Sequence, residues 1–256
     1  MTEKELKGKV IAVSGGTKGV GRAAAEAFAR RGAKVVIGGR DEEAASRSLR
    51  LMENYGGEGH FVYTDLEKVE DCRKLIRETL TRFGRIDGLY LYAGITPVSP
   101  LDSCDEETFD RVMDINFKAA FFCVQEALAP MQAQGGGSIV FTGSAHAWGG
   151  QKDRAAYACS KGVLRVLMEH IAHHYAADRI RCNYLTLGWT PTEGELALRE
   201  SRGESEAQLR RRAGEILPMG RMLENNDYLE ALVYLMSDAS AMMTGSVLRI
   251  TGGEYI

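Results

Sequence analysis

"KVIAVSGGTKGVGRAAAEAFARRG", residues 9–32, decides the fold. It opens as an apolar run, breaks at glycines, and continues with alanine-rich helical spacing that stops at Gly32. A strand that is apolar without alternation is buried on both faces, as in a covered parallel sheet. A glycine-rich turn between such a strand and a helix lets a pyrophosphate approach the N–H groups at the helix start. Gly15, Gly19 and Gly21 are spaced GxxxGxG and not GxGxxG, but the physical requirement is the same. In isolation the triplet is equally an ordinary strand-to-helix turn. Its position in the chain gives it meaning.

Outward from this unit the same alternation recurs. Apolar runs at 33–40, 59–65, 86–94, 137–144, 180–188 and 246–253 read as six further strands. Helical spacing fills 41–57, 70–85, 105–136 and 155–177, with Asp41 in N-cap position before the first of these. The pattern predicts an α/β fold: a doubly wound, Rossmann-type, seven-stranded parallel sheet with helices on both faces. One domain spans residues 1–256. Ligands of such sheets bind at the carboxyl ends of the strands. Residues 193–227 are charged and helix-prone and interrupt the alternation, so they read as a lid inserted over a pocket.

Composition narrows the function. The chain has 256 residues, 45% of them hydrophobic, and a formal charge of −3. No basic field favours nucleic acid or an anionic membrane surface. The charged N-terminus does not read as a signal peptide, and no apolar run approaches the roughly 18 residues of a membrane span. Five scattered cysteines without a CxxC pair fit reduced thiols. Together these features predict a cytoplasmic protein.

A second stretch, "GSAHAWGGQKDRAAYACSKGVL" at 143–164, supplies candidate chemistry. Ser144 ends the fifth strand, and Tyr157 and Lys161 lie one helical turn apart on one face. Reducing a ketone with a nicotinamide requires a proton on oxygen from a nearby acid. A free phenol has a pKa of about 10, and a neighbouring cation lowers it. Tyr157 with Lys161 therefore reads as a general acid and its cation, and Ser144 as a hydroxyl holding the substrate oxygen.

With both stretches in register, the chain resembles the short-chain dehydrogenase/reductase family from Lys9 to Gly253. That family's TGxxxGxG loop corresponds to Ser14–Gly21 and its YxxxK to Tyr157 and Lys161. Its PGxxxT corresponds to Leu187, Gly188 and Thr192. The resemblance implies Asn116, Ser144, Tyr157 and Lys161 as catalytic residues, with Asn116 holding a water that links the lysine to solvent. It implies cofactor contacts from Gly15, Thr17, Lys18, Gly19, Val20, Arg40, Asp65, Leu66, Ala93, Gly94, Tyr157, Lys161, Gly188 and Thr192. Three positions depart from the family pattern: Tyr92 in "LYAG", Leu187 for a proline, and Thr251 for an aspartate. None removes a reacting group. The family often forms tetramers through its long helices and last strand, so a homotetramer or homodimer is expected.

The implied function is an NADP(H)-dependent oxidoreductase that interconverts a carbonyl and an alcohol on a small-molecule substrate. A dinucleotide-binding sensor or structural protein without catalysis is the alternative. Epimerisation or dehydration of nucleotide sugars is a third reading, disfavoured by chain length and glycine spacing. The corner Gly38-Gly39-Arg40 lacks the acid that NAD specificity uses. Arg40 and Lys18 can grip a 2′-phosphate, so NADP is expected and NAD is less favoured. His146 and Trp148, after Ser144, and Trp189 are expected to line the substrate pocket. The competing arrangement packs Trp148 beneath the insert, away from any ligand. His170, His173 and His174 read as a surface cluster and not a metal site. "LRRR" at 209–212 reads as a solvated helix face, and Cys159 not as a nucleophile.

Overall fold

In the computed structural model, which describes residues 4–254, the apolar runs become one parallel sheet. Its strands are β1 (Val10–Ser14), β2 (Lys34–Gly39), β3 (Glu58–Tyr63), β4 (Gly88–Leu91), β5 (Gly137–Ser144), β6 (Ile180–Leu187) and β7 (Val247–Ile250). Their order is β3-β2-β1-β4-β5-β6-β7, and every pairing is parallel. The order reverses between β1 and β4, which opens a crevice at their carboxyl ends.

Helices cover both faces because β1 and β5 are apolar on both sides. α1 (Gly19–Arg30) and α2 (Glu42–Asn54) pack Phe28, Ala24 and Met52 against Ile11, Val13, Val35 and Ile37. α3 (Val69–Phe83) lies on the opposite face, with Leu75 and Ile76 against Val36 and Leu89. The long helical run at 105–136 is not one α-helix. It divides into α4 (Glu106–Met113) and α5 (Ala119–Ala133), joined by a π-helical turn over Asp114–Lys118 that contains Asn116. Such a turn is rare within a helix and concentrates at functional sites. α6 (Ala155–His174) carries Tyr157 and Lys161 in its first turns.

The insert at 193–227 holds α7 (Glu193–Ser201) and α8 (Glu206–Ile216). Thr192 caps α7 by accepting the Glu195 N–H, and Ser205 with Gln208 forms a capping box on α8. Leu209, Ala213, Leu217 and Met222 make a small core of their own with Trp189 and Leu196 packed on it. A further helix, α9 (Asn225–Met236), begins within the insert's C-terminal end; the sequence reading did not separate it. Its Tyr228, Leu232 and Leu235 join the same core as α1. None of the described helices is long and apolar enough to cross a membrane.

Gly143 fixes how closely β5 and β6 pack beside the site. A Cβ at this position would lie 1.8 Å from the Tyr184 ring, which is fully buried and donates its hydroxyl to the Lys161 carbonyl at 2.9 Å. Gly143→Ala should therefore cost about 3 kcal/mol in urea unfolding, at the upper end of overpacking effects. A variant as stable as the parent would show that the ring has room to shift.

Candidate active site

The cofactor end of the crevice begins at the glycine loop. Gly15 and Gly19 take positive φ values of 78° and 54°, which the turn out of β1 requires. Gly21 admits no side chain, because a Cβ would lie 2.2 Å from the Gly15 carbonyl oxygen. Lys18, at the N-cap of α1, provides no side-chain cap, so the first N–H groups of that helix remain available to an anion. Tyr92, the departure from the family's asparagine, packs under this loop. The Val20 N–H bonds its phenol oxygen, and burial pushes the phenol up to about 12.

A cavity of about 1100 Å³ runs from this loop to the carboxyl end of β5. Gly15, Thr17, Lys18, Gly19, Val20, Arg40, Asp65, Leu66, Ala93, Gly94, Gly188 and Thr192 all line it. So do Ser144, Tyr157, Lys161, His146 and Trp189. The glycine cradle, the open helix N-terminus and a crevice of this size fit a dinucleotide with room for a small substrate.

At the floor, Lys161 is buried and donates from Nζ to the Thr142 carbonyl at 3.0 Å. Burial lowers its ammonium to about 8. The phenol of Tyr157 moves in the direction opposite to the one expected. Desolvation raises it, while the hydrogen bond from Ser144 and the charge of Arg154 pull it down. Lys161 Nζ stands 5.8 Å from the centre of the tyrosine ring. Arg154, three residues before Tyr157, is a second cation near the phenol.

Asn116 does not line the cavity but stands behind its wall. Its amide donates to the Ile95 carbonyl and to Ser160 Oγ, both at 2.9 Å, and accepts the Ile95 N–H at 2.7 Å. Ser160 in turn donates to the Tyr157 carbonyl at 2.7 Å. The π-helical turn thus aims Asn116 at the backbone that positions the loop after β4 and the first turn of α6.

Trp148 requires correction: it does not line the cavity. It ends a 3₁₀ turn over Ala145–Trp148 and meets Tyr184 edge-on, with ring centres 6.1 Å apart. The Arg249 guanidinium covers its face at 4.5 Å. The ring and the cation draw the indole toward the β6–β7 side of the sheet. The corner after β2 also differs from its reading. A carboxylate is present there: Asp41 caps α2 through the Ala44 N–H and pairs with Lys18 Nζ at 2.9 Å. Arg40 is exposed and has no ion-pair partner among the described residues.

The sequence reading missed Arg154, Glu195 and Glu254. Arg154 was legible from its position three residues before Tyr157. Glu195 accepts the Trp189 indole N–H at 2.7 Å, and Glu254 accepts the Trp189 backbone N–H at 3.0 Å. Nothing in local spacing marks Glu254, which reaches the cavity only through the pairing of β7 with β6. The histidines of α6 contact one another, with His170 and His174 ring centres 4.4 Å apart. No group of three or more His, Cys, Asp or Glu among the described residues is arranged to hold a metal ion.

Known proteins agree with this architecture. A family model described as enoyl-(acyl carrier protein) reductase matches residues 15–254. An uncharacterised oxidoreductase of Thermotoga maritima is 34% identical over 249 residues, covering 97% of this chain and 98% of the relative. The 7α-hydroxysteroid dehydrogenase of Clostridium sardiniense is 32% identical, covering 98% and 94%. A solved structure from Beutenbergia cavernae, assigned as an NAD(P)-dependent gluconate 5-dehydrogenase with NADP bound at low occupancy, superposes with a TM-score of 0.88. It is 29% identical and covers 98% of both chains. By fold, glycine loop and matched length, the chain belongs to the short-chain dehydrogenase/reductase family of oxidoreductases.

Proposed function

We propose that this protein interconverts a carbonyl and a secondary alcohol on a small molecule, with NADP(H) as the preferred cofactor. The observation that carries this reading is the convergence of Ser144, Tyr157 and Lys161 at one end of a cavity whose other end is the glycine loop. The nicotinamide, when bound, supplies or accepts the hydride. Ser144 holds the substrate oxygen against the phenol, and Tyr157 gives that oxygen its proton in reduction or takes it in oxidation. Lys161 binds the cofactor's ribose and holds a positive charge beneath the reacting atoms. Asn116 acts through the Ile95 and Ser160 contacts as a positioning residue. His146 and Trp189 form the substrate wall, and 193–227 serves as its lid, tied to α1 by the Arg22–Glu193 pair at 2.8 Å. A homo-oligomer is part of the reading, since Phe109, Phe121 and Val166 leave apolar surface on α4, α5 and α6.

NADP preference rests on Arg40, whose exposed guanidinium lines the cavity mouth and matches a 2′-phosphate bidentately. Lys18 adds charge but shares it with Asp41, so its contribution is the smaller. Arg40→Ala should raise KM for NADPH on the order of 10- to 100-fold and leave NADH nearly unchanged. Lys18→Ala should do the same more mildly. Equal NADH and NADPH efficiencies in the parent, or an Arg40→Ala variant that loses both alike, would sink this assignment. The oxidoreductase reading itself is tested by cofactor oxidation against a panel of ketones, keto sugars, quinones and steroids. Cofactor binding without turnover of any of them would favour a sensor.

A further inference from the structure

We propose that the substrate carries a carboxylate and that Arg154 binds it beside the reacting carbonyl. This deepens the oxidoreductase reading and rests on it. Arg154 is 6% exposed, lines the cavity and lies one helical turn before Tyr157. The only hydrogen bond that its guanidinium makes within the described residues goes to the Thr96 carbonyl. Its only ion-pair partner among the described residues, Asp153, is 3.7 Å from Nε and half-exposed to solvent. A buried guanidinium has five N–H donors, and buried charges in folded proteins are paired or hydrogen-bonded. Here most of the donors have no acceptor, yet none is sealed off as a buried unsatisfied atom. They are open to the cavity.

The acids on the facing wall do not complete this cation. Glu195 is held by the Trp189 indole and by Arg199 at 2.8 Å, and Glu254 by the Trp189 backbone N–H. Around the whole cavity, cationic side chains outnumber acidic ones two to one, in a chain whose net charge is −3. Of the insert's lining cations, Arg199 is paired with Glu195 and Arg212 with Glu204, whereas Arg202 has no ion-pair partner among the described residues. To an entering carboxylate Arg154 offers the planar fork that carboxylates match. The same group then fixes which face of the carbonyl meets the phenol.

The test compares 3- and 4-oxocyclohexanecarboxylate with their neutral amides, which match them in shape. The parent enzyme should favour the acid over the amide in kcat/KM on the order of 10- to 100-fold. Arg154→Met should lose that preference, and Arg154→Lys should keep part of it. A binding arm, independent of turnover, measures cyclohexanecarboxylate and cyclohexanecarboxamide by calorimetry on the NADP⁺-saturated enzyme, with the same ranking expected. The preference should persist from pH 6 to 9. A preference that vanishes as pH rises would point to His146, whose imidazole burial holds below its usual range. A parent that treats acid and amide alike in both arms overturns the proposal without any variant. An Arg154→Met protein that weakens both compounds equally also overturns it. Failure to turn over any carbonyl, with acid-selective binding intact, would count against the oxidoreductase reading and leave the carboxylate site standing.

Discussion

Tyr157→Phe is expected to fold, to bind cofactor and to lose turnover by at least about 100-fold, the lower range for removing a general acid. Only the phenol oxygen is deleted, and the ring keeps its edge-on contact with His146 at 5.6 Å. The environment gives the effect a pH signature. Burial raises the phenol, so Tyr157 is protonated at neutral pH and ready to act as the acid in reduction. Oxidation needs the phenolate, so the parent's oxidation rate should climb with pH while its reduction rate holds and then falls. Steady-state rates in both directions check this, and the phenylalanine variant should show neither trend. A residual kcat above about a tenth of the parent, a barrier change of only about 1.4 kcal/mol, would remove Tyr157 from the acid role.

Lys161→Met is expected to be inactive, to bind cofactor weakly and yet to be more stable than the parent at pH 7. The ammonium is 3% exposed, and burial brings it down from 10.5 to about 8. The unfolded chain, with a lysine pKa of about 10.4, binds that proton more tightly than the folded one. The burial cost is therefore full below pH 8 and fades as pH rises toward the unfolded value, so parent stability increases across that window. Methionine removes the cost and the slope together. Allowing about 1 kcal/mol for the lost bond to the Thr142 carbonyl, the gain at pH 7 should be on the order of 2 kcal/mol. Urea unfolding at pH 7 and pH 9 measures both quantities. A variant that is less stable at pH 7 and keeps the parent's slope would show that the lysine is not a strained charge.

The sheet was legible because its strands are apolar on both faces, and the glycine loop because Gly15 and Gly21 have no sterically possible replacement. Tyr157, Lys161 and Ser144 were legible as a spacing along one helix face and one strand end. Long-range pairing was not. Glu254 meets Trp189 only after β7 joins β6, and Trp148 is turned outward by Tyr184 and Arg249, both distant in sequence. Asp41 was read as a helix cap, which it is, but its partner Lys18 comes from a different turn. The π-helical turn leaves no signature in side-chain periodicity, since it changes the register by a single residue. α9 was hidden because its apolar stripe begins inside a strongly charged segment.

The two tryptophans of the chain have ended in unlike surroundings. Trp148 lies off the cavity, whereas Trp189 sits with the guanidinium groups of Arg199 and Arg212 at 5.3 and 4.8 Å from its ring and Glu195 on its indole nitrogen. Those charges ride on α7 and α8, and indole emission is sensitive to the field across the ring. Trp148→Phe would leave Trp189 as the sole tryptophan emitter, so the protein carries its own optical gauge. The colour of that emission reads the placement of the insert over the cavity directly, with no attached dye.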